Sequence, residues 1–210
     1  MNNELIKRLI SSVIILPIAL FVIINGSILF LLFLIFLFLL SSYEWIKMCK
    51  KNIIKIFVGI IFLSTSFYLA FQLSILYGYN FFIFIIFICI LTDLGGFIFG
   101  KLFKGPKLTK ISPNKTYIGV FGSFILPVLL CLILSNYINI DYTEIIKFNF
   151  ISLILTISLI SQLGDLIISY FKRVAKIKDT GKIIPGHGGI LDRLDGIIFV
   201  IPILYFLTRL

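Results

Sequence analysis

The chain has 210 residues, 60% of them hydrophobic and 13% charged, with a mean hydropathy of +1.15. A water-soluble core of this size cannot hide so much apolar surface, so the bilayer is the solvent and a soluble enzyme is excluded. The formal net charge of +10 calls for an anionic partner, and short basic blocks without a recognition module argue against nucleic acid.

Crossing about 30 Å of hydrocarbon takes about 20 apolar residues of helix, and each backbone group must be satisfied within its own helix. Seven runs qualify: residues 9–25, 27–46, 54–78, 80–100, 116–137, 147–170 and 194–209. The expected fold is an all-α polytopic membrane protein of about seven transmembrane helices. The first run follows Lys7 and Arg8 but lacks a small-residue cleavage site, so it reads as a retained helix. The third, 54–78, holds Ser64, Ser66 and Gln72, and fits either one tilted helix or a helix with a short re-entrant piece. Residues 1–79 form an amino-terminal helical part, and 80–210 a catalytic part with polar loops 101–115 and 171–193.

Charge placement supports the odd count. Lys7 and Arg8, then the blocks at 47–55, 101–115 and 172–193, place 17 of the 19 basic residues on one face; Lys147 and Arg209 remain for the other. The positive-inside rule makes that face cytoplasmic, with the amino end inside and both long loops facing the cytoplasm of a cell membrane. Cys49, Cys89 and Cys131 lack metal-ligand spacing and read as small apolar residues kept reduced.

Two acids lie inside apolar runs. Asp93 precedes Lys101 by eight residues, about 12 Å of helix, and Asp165 precedes Lys172 by seven. A buried acid costs free energy. Each is either a neutralised structural carboxylate or a ligand in a polar cavity, and matching depths beside basic loops favour the ligand. Gly95, Gly96, Gly100 and Gly164 flank them, for helix packing or for close approach of a ligand. In "ISPNKT" a rigid turn presents Lys115 and Thr116, an ammonium and a hydroxyl suited to phosphate.

The densest polar stretch is "SYFKRVAKIKDTGKIIPGHGGILDRLDG", residues 169–196. Lys172 and Arg173 suit a lipid phosphate, or simply mark the inner face. Gly186, Gly188 and Gly189 permit a left-handed backbone around His187, which reads as a phosphate donor, an acid–base group or a packed turn residue. Asp192 and Asp195 sit three apart on one helical face; capping explains one of them, not both together with Arg193.

Ser169, Lys172, Arg173, Lys178, Asp179, Pro185, His187, Gly188, Gly189, Asp192, Arg193 and Asp195 together resemble the signature of the phosphatidate cytidylyltransferases, the CDP-diacylglycerol synthases. That signature reads S-x-x-K-R, K-D and P-x-H-G-G-x-x-D-R-x-D. Upstream, "TDLGGFIFGK" and "ISPNKTYIG" resemble the family's D-x-x-A-Y-x-x-G and S-P-x-K-T-x-E-G segments, with Gly96-Phe97 for Ala-Tyr and Ile118 for the acid. The chain is short for that family, which implies fewer amino-terminal helices.

The resemblance implies transfer of a cytidylyl group from CTP to phosphatidate, giving CDP-diacylglycerol and pyrophosphate for phospholipid biosynthesis. It implies Mg²⁺ on Asp165 and Asp192, with a second, monovalent cation, K⁺. Asp93 and Lys115 would hold CTP or its metal, and Ser169, Lys172 and Arg173 the lipid phosphate. Thr116, Lys178, Asp179, Gly188, Gly189, Arg193 and Asp195 complete the expected substrate contacts. His187 joins the catalytic set, although an already ionised phosphate nucleophile needs no strong base. The expected partners are CTP, phosphatidate, membrane lipids and a second copy in a homodimer. Two other readings stay open: a CTP-dependent lipid-alcohol kinase, and a transporter using the intramembrane acids.

Overall fold

The structure, a computed structural model, describes residues 3–50, 52–109, 112, 115–134, 149–186 and 188–209, with the side chains from Val13 onward. Among the described residues seven helices occur in chain order: α1 (Asn3–Asn25), α2 (Ser27–Cys49), α3 (Ile53–Phe103), α4 (Tyr117–Leu134), α5 (Phe150–Val174), α6 (Leu191–Leu194) and α7 (Ile197–Leu207). Among the described residues the only β-pairing is two isolated bridges.

Four helices, α2 to α5, are long and apolar enough to cross a membrane, which makes the chain a multi-pass membrane protein. Their outward side chains are apolar, among them Leu32, Phe57, Phe121 and Leu163, as a hydrocarbon solvent requires. At 51 residues α3 is too long for one crossing. It breaks at Gly78, whose φ of 81° and ψ of 162° form a backbone that glycine alone adopts without strain. The halves, 53–77 and 79–103, correspond to the third and fourth apolar runs. Shorter apolar stretches remain at Val13–Asn25 and Ile197–Leu207.

The last run, expected as a helix over 194–209, is helical over Ile197–Leu207, and the short α6 precedes it. Asp195 and Gly196 keep helical dihedral angles, but the Gly196 N–H donates to Asp195 Oδ1 at 3.0 Å. This separates α6 from α7 at a charged residue.

The kinked α3 packs against α1, α2, α4, α5 and α7 and is the centre of the bundle. Its Leu73, Phe81, Ile85 and Ile88 meet Phe30 of α2, Ile154 and Ile157 of α5 and Val200 of α7 in the main core. A second cluster joins Trp45 and Met48 of α2, Leu63, Ile168, Leu191 and Ile198, so α6 stands on apolar ground. Cys89 and Cys131 are buried, Cys49 is half-buried, and none of the three forms a disulfide.

Helices α3 and α4 meet along small residues. A Cβ on Gly95 would strike the Gly122 carbonyl, and one on Gly96 would come within 2.7 Å of Ser123 Oγ. Small side chains let two backbones approach in a membrane. Of the two roles open for these glycines, helix packing accounts for their positions.

Candidate active site

Helix α5 carries Asp165, Ser169 and Lys172 at spacings of four and three, on one face. Gly164 lets this face press on the turn between α6 and α7: its Cα lies so near that a Cβ would stand 2.7 Å from the Asp195 carbonyl. The crossing brings the Asp165 and Asp195 side chains close enough for each to feel the other's charge.

Bases surround this pair. Lys115, just before α4, forms an ion pair with Asp165, both side chains about a quarter exposed. Ser169 Oγ donates to Asp165 Oδ1 at 3.2 Å. Lys172 Nζ donates to Asp192 Oδ1 at 2.8 Å, and its charge also acts on Asp165 and Asp195. Asp93, on the second half of α3, lies within electrostatic reach of Asp165, Lys115 and Arg193. Four separate segments thus converge on one patch, as the matching depths of Asp93 and Asp165 lead one to expect.

Asp192 has a second attachment. Its Oδ2 accepts from the backbone N–H groups of Thr180 at 2.8 Å and Gly189 at 3.0 Å. Gly188 has φ +90°, and a Cβ there would come within 2.9 Å of the same oxygen. Asp192 thus leaves no room for a side chain at Gly188, while at Gly189 a Cβ would strike Thr180 Oγ1 and the Glu44 carboxylate instead.

Other expected site residues point elsewhere. Arg173 Nη1 donates to the Ile177 carbonyl at 3.1 Å and holds the end of α5. Lys178 and Asp179 are exposed on the loop. Thr116 Oγ1 accepts from Gly119 N at 3.1 Å, satisfying a donor in the first turn of α4. Ile118 packs on Gly105 and brings no charge to the position where the resembled family has an acid. His187 lies outside the described residues, as do Lys110, Pro113 and Asn114.

Within the cluster four carboxylates, Asp93, Asp165, Asp192 and Asp195, face three bases, Lys115, Lys172 and Arg193. Counted as formal charges, the acids outnumber the bases by one. A polyphosphate entering there needs added positive charge, and donors that are all carboxylate oxygens suit a hard cation such as Mg²⁺. Among the described residues no three metal-binding side chains are grouped closely enough to form a closed cage. Mg²⁺ needs none: it keeps waters and takes one or two carboxylates together with substrate phosphates. The donor set fits.

Sequence reasoning missed Glu44. It is an acid inside an apolar run, like Asp93 and Asp165, and the same criterion applied to "YEWIK" would have found it. Lying three residues before Lys47, it reads instead as part of a basic edge. In the structure it is 1% exposed and bonded to the loop that carries Asp192.

The pattern described as the Cytidylyltransferase family matches residues 51–210. The phosphatidate cytidylyltransferase of Rickettsia bellii is 35% identical over 216 residues, covering 100% of this chain and 93% of the relative. That of Rickettsia felis is 36% identical, covering 100% and 94%. The Staphylococcus epidermidis protein of the same name is 42% identical over 131 residues, 62% of this chain and 49% of its own length. The shared pattern spans every segment that builds the polar cluster, and the chain belongs to the cytidylyltransferase family, as a membrane-embedded nucleotidyltransferase.

Proposed function

We propose that this protein transfers the cytidylyl group of CTP to phosphatidate, releasing CDP-diacylglycerol and pyrophosphate. The observation that carries the reading is the meeting of Asp93, Lys115, Asp165, Lys172, Asp192 and Asp195 from separate segments, beside the basic loops of a membrane-embedded bundle. The relatives' name supplies the lipid substrate.

A phosphate oxygen of the lipid attacks the α-phosphorus of CTP in line. The bond from that phosphorus to the bridging oxygen breaks, and the electron pair leaves with pyrophosphate. The nucleophile is already ionised at neutral pH, so no residue has to remove a proton. The chief obstacle is repulsion: one pair of unit charges 4 Å apart costs about 4 kcal/mol at an effective dielectric near 20. Lys115 and Lys172 bring fixed ammonium groups to the patch, and Arg193 adds a guanidinium. Mg²⁺, when bound, would supply screening between the phosphates and stabilise the departing charge. Asp165 and Asp192, which share Lys172 as a neighbour, would hold it, as the family resemblance implies. Asp93 and Asp195 leave carboxylate charge for a second, monovalent cation, K⁺. Lys115 and Asp93 take the nucleotide side, and Ser169 and Lys172 the lipid phosphate.

The same proposal has seven crossings, the two halves of α3 counting separately, with the amino end and both long loops on the cytoplasmic side of the cell membrane. The clustering of basic residues on one face supports it.

The test uses purified protein in detergent with Mg²⁺ and CTP labelled at the γ position. Labelled pyrophosphate formed only when phosphatidate is added is the expected result. Label transferred to lipid, with release of CDP, would identify a kinase instead. Asp165→Asn is expected to reduce CDP-lipid formation to background with helical content intact, and wild-type activity in that variant would remove Asp165 from the metal site.

A further inference from the structure

Glu44 lies outside the polar cluster, on α2 beside the second apolar cluster, yet its carboxylate is fully used. Its Oε2 accepts from Thr180 Oγ1 at 2.8 Å and from Leu191 N at 2.9 Å, and its Oε1 accepts from Ile190 N at 3.0 Å. All three donors belong to the segment between α5 and α7. A carboxylate so deeply buried is tolerated only when donors replace its water, and this segment supplies them.

The segment is shaped to the carboxylate. A Cβ on Gly181 or on Gly189 would collide with Glu44 oxygens. The neighbouring Trp45 and Met48 join Leu191 and Ile198 in the apolar cluster below. Helix α2 therefore meets α6 through one polar clasp set in an apolar contact.

The same residues bear on Asp192. Thr180 gives its hydroxyl to Glu44 and its backbone N–H to Asp192. Gly189 gives its N–H to Asp192 and packs on Glu44. Leu191, held by Glu44, directly precedes Asp192 in the chain. Two carboxylates thus grip one short loop from opposite sides, one from α2 and one facing Lys172.

We propose that Glu44 is a positioning residue for cytidylyl transfer. It fastens residues 180–191 to α2 and so fixes Asp192 against Lys172, without touching substrate. The inference rests on the transferase reading of the cluster, and it assigns a role to the amino-terminal helices, which otherwise carry none of the site.

The experiment compares full-length wild-type protein with Glu44→Ala, Glu44→Gln and Thr180→Val, purified in detergent. It reads two quantities: turnover with CTP, phosphatidate and Mg²⁺, and the rate of tryptic cleavage after Lys182. Lys182 is exposed on the clasped segment, while Lys104 just after α3 and Lys55 in the first turn of α3 serve as internal references. Loss of several charge-assisted hydrogen bonds in Glu44→Ala is expected to lower kcat about tenfold or more and to speed cleavage after Lys182 by a similar factor. Cleavage after Lys55 and Lys104 stays at the wild-type rate, and KM for CTP changes far less than kcat. Glu44→Gln, which keeps one acceptor oxygen, and Thr180→Val, which loses one donor, fall between wild type and Glu44→Ala on both readouts.

Wild-type kcat in Glu44→Ala overturns the proposal. So does a loss of kcat with unchanged cleavage after Lys182, or cleavage rising equally at all three lysines, which would mark general destabilisation. If wild-type protein itself shows no turnover, the transferase reading falls and the positioning role with it, while the cleavage rates still decide whether Glu44 holds the segment.

Discussion

Gly164 and Asp195 share one helix crossing: a Cβ at 164 would stand 2.7 Å from the Asp195 carbonyl and equally close to the Phe199 ring. The absence of a single side chain on α5 therefore sets the distance between Asp165 and Asp195. An acid placed one residue after a glycine in an apolar run is held close to a second acid on another segment. That is how the bundle gathers like charges around Lys115 and Lys172.

Enlarging residue 164 should pry the crossing open. Gly164→Val is expected to destabilise the protein by about 1–3 kcal/mol, the usual cost of overpacking. CDP-diacylglycerol formation should fall further than folding does, because Asp165 moves off Asp195. Thermal unfolding in detergent and an activity assay on the folded fraction check both parts.

The Lys172–Asp192 pair is nearly dry, with the two side chains 10% and 7% exposed. Breaking a buried pair strands a charge and costs about 3–5 kcal/mol. Lys172→Met is expected to show that cost. Lys172→Met combined with Asp192→Asn should be milder than the sum of the single changes, since neither charge is then left alone. A double-mutant cycle on unfolding free energy measures the difference.

The glycine seam and the glycine kink should answer differently to substitution. Gly122→Val meets Phe99 and the Gly95 carbonyl and should drive α4 from α3, carrying Lys115 away from Asp165 and lowering activity. Gly78→Ala meets nothing within 4 Å, so it should cost only backbone strain, about 1–3 kcal/mol, and leave kcat unchanged. Parallel assays of the two variants separate packing from strain.

Metal removal provides a further check. Four carboxylates against three bases leave the cluster short of positive charge once two phosphate-bearing substrates arrive. Chelation with EDTA should bring activity to background, and Mg²⁺ should restore it. Ca²⁺ should restore it poorly, because its longer and looser coordination misplaces the phosphates. Full activity in EDTA would remove the divalent ion from the reading.

The sequence alone determined the solvent, the helical class and the candidate segments for the chemistry. Apolar runs of bilayer length are a local property. So is the cost of Asp93 and Asp165 within them, and so is the spacing of residues 169–195. The tertiary structure decided which of those charges meet. Lys115 pairs with Asp165 and Lys172 with Asp192 because α3, α4, α5 and the α6–α7 turn cross at glycines, and crossing geometry is set by contacts between residues far apart in the chain. It also decided that Arg173 and Thr116 serve their own helix ends, and that Glu44 of the second helix holds a loop some 140 residues further on. A partner at that separation leaves no periodic trace in the sequence; only the packed chain brings the two together.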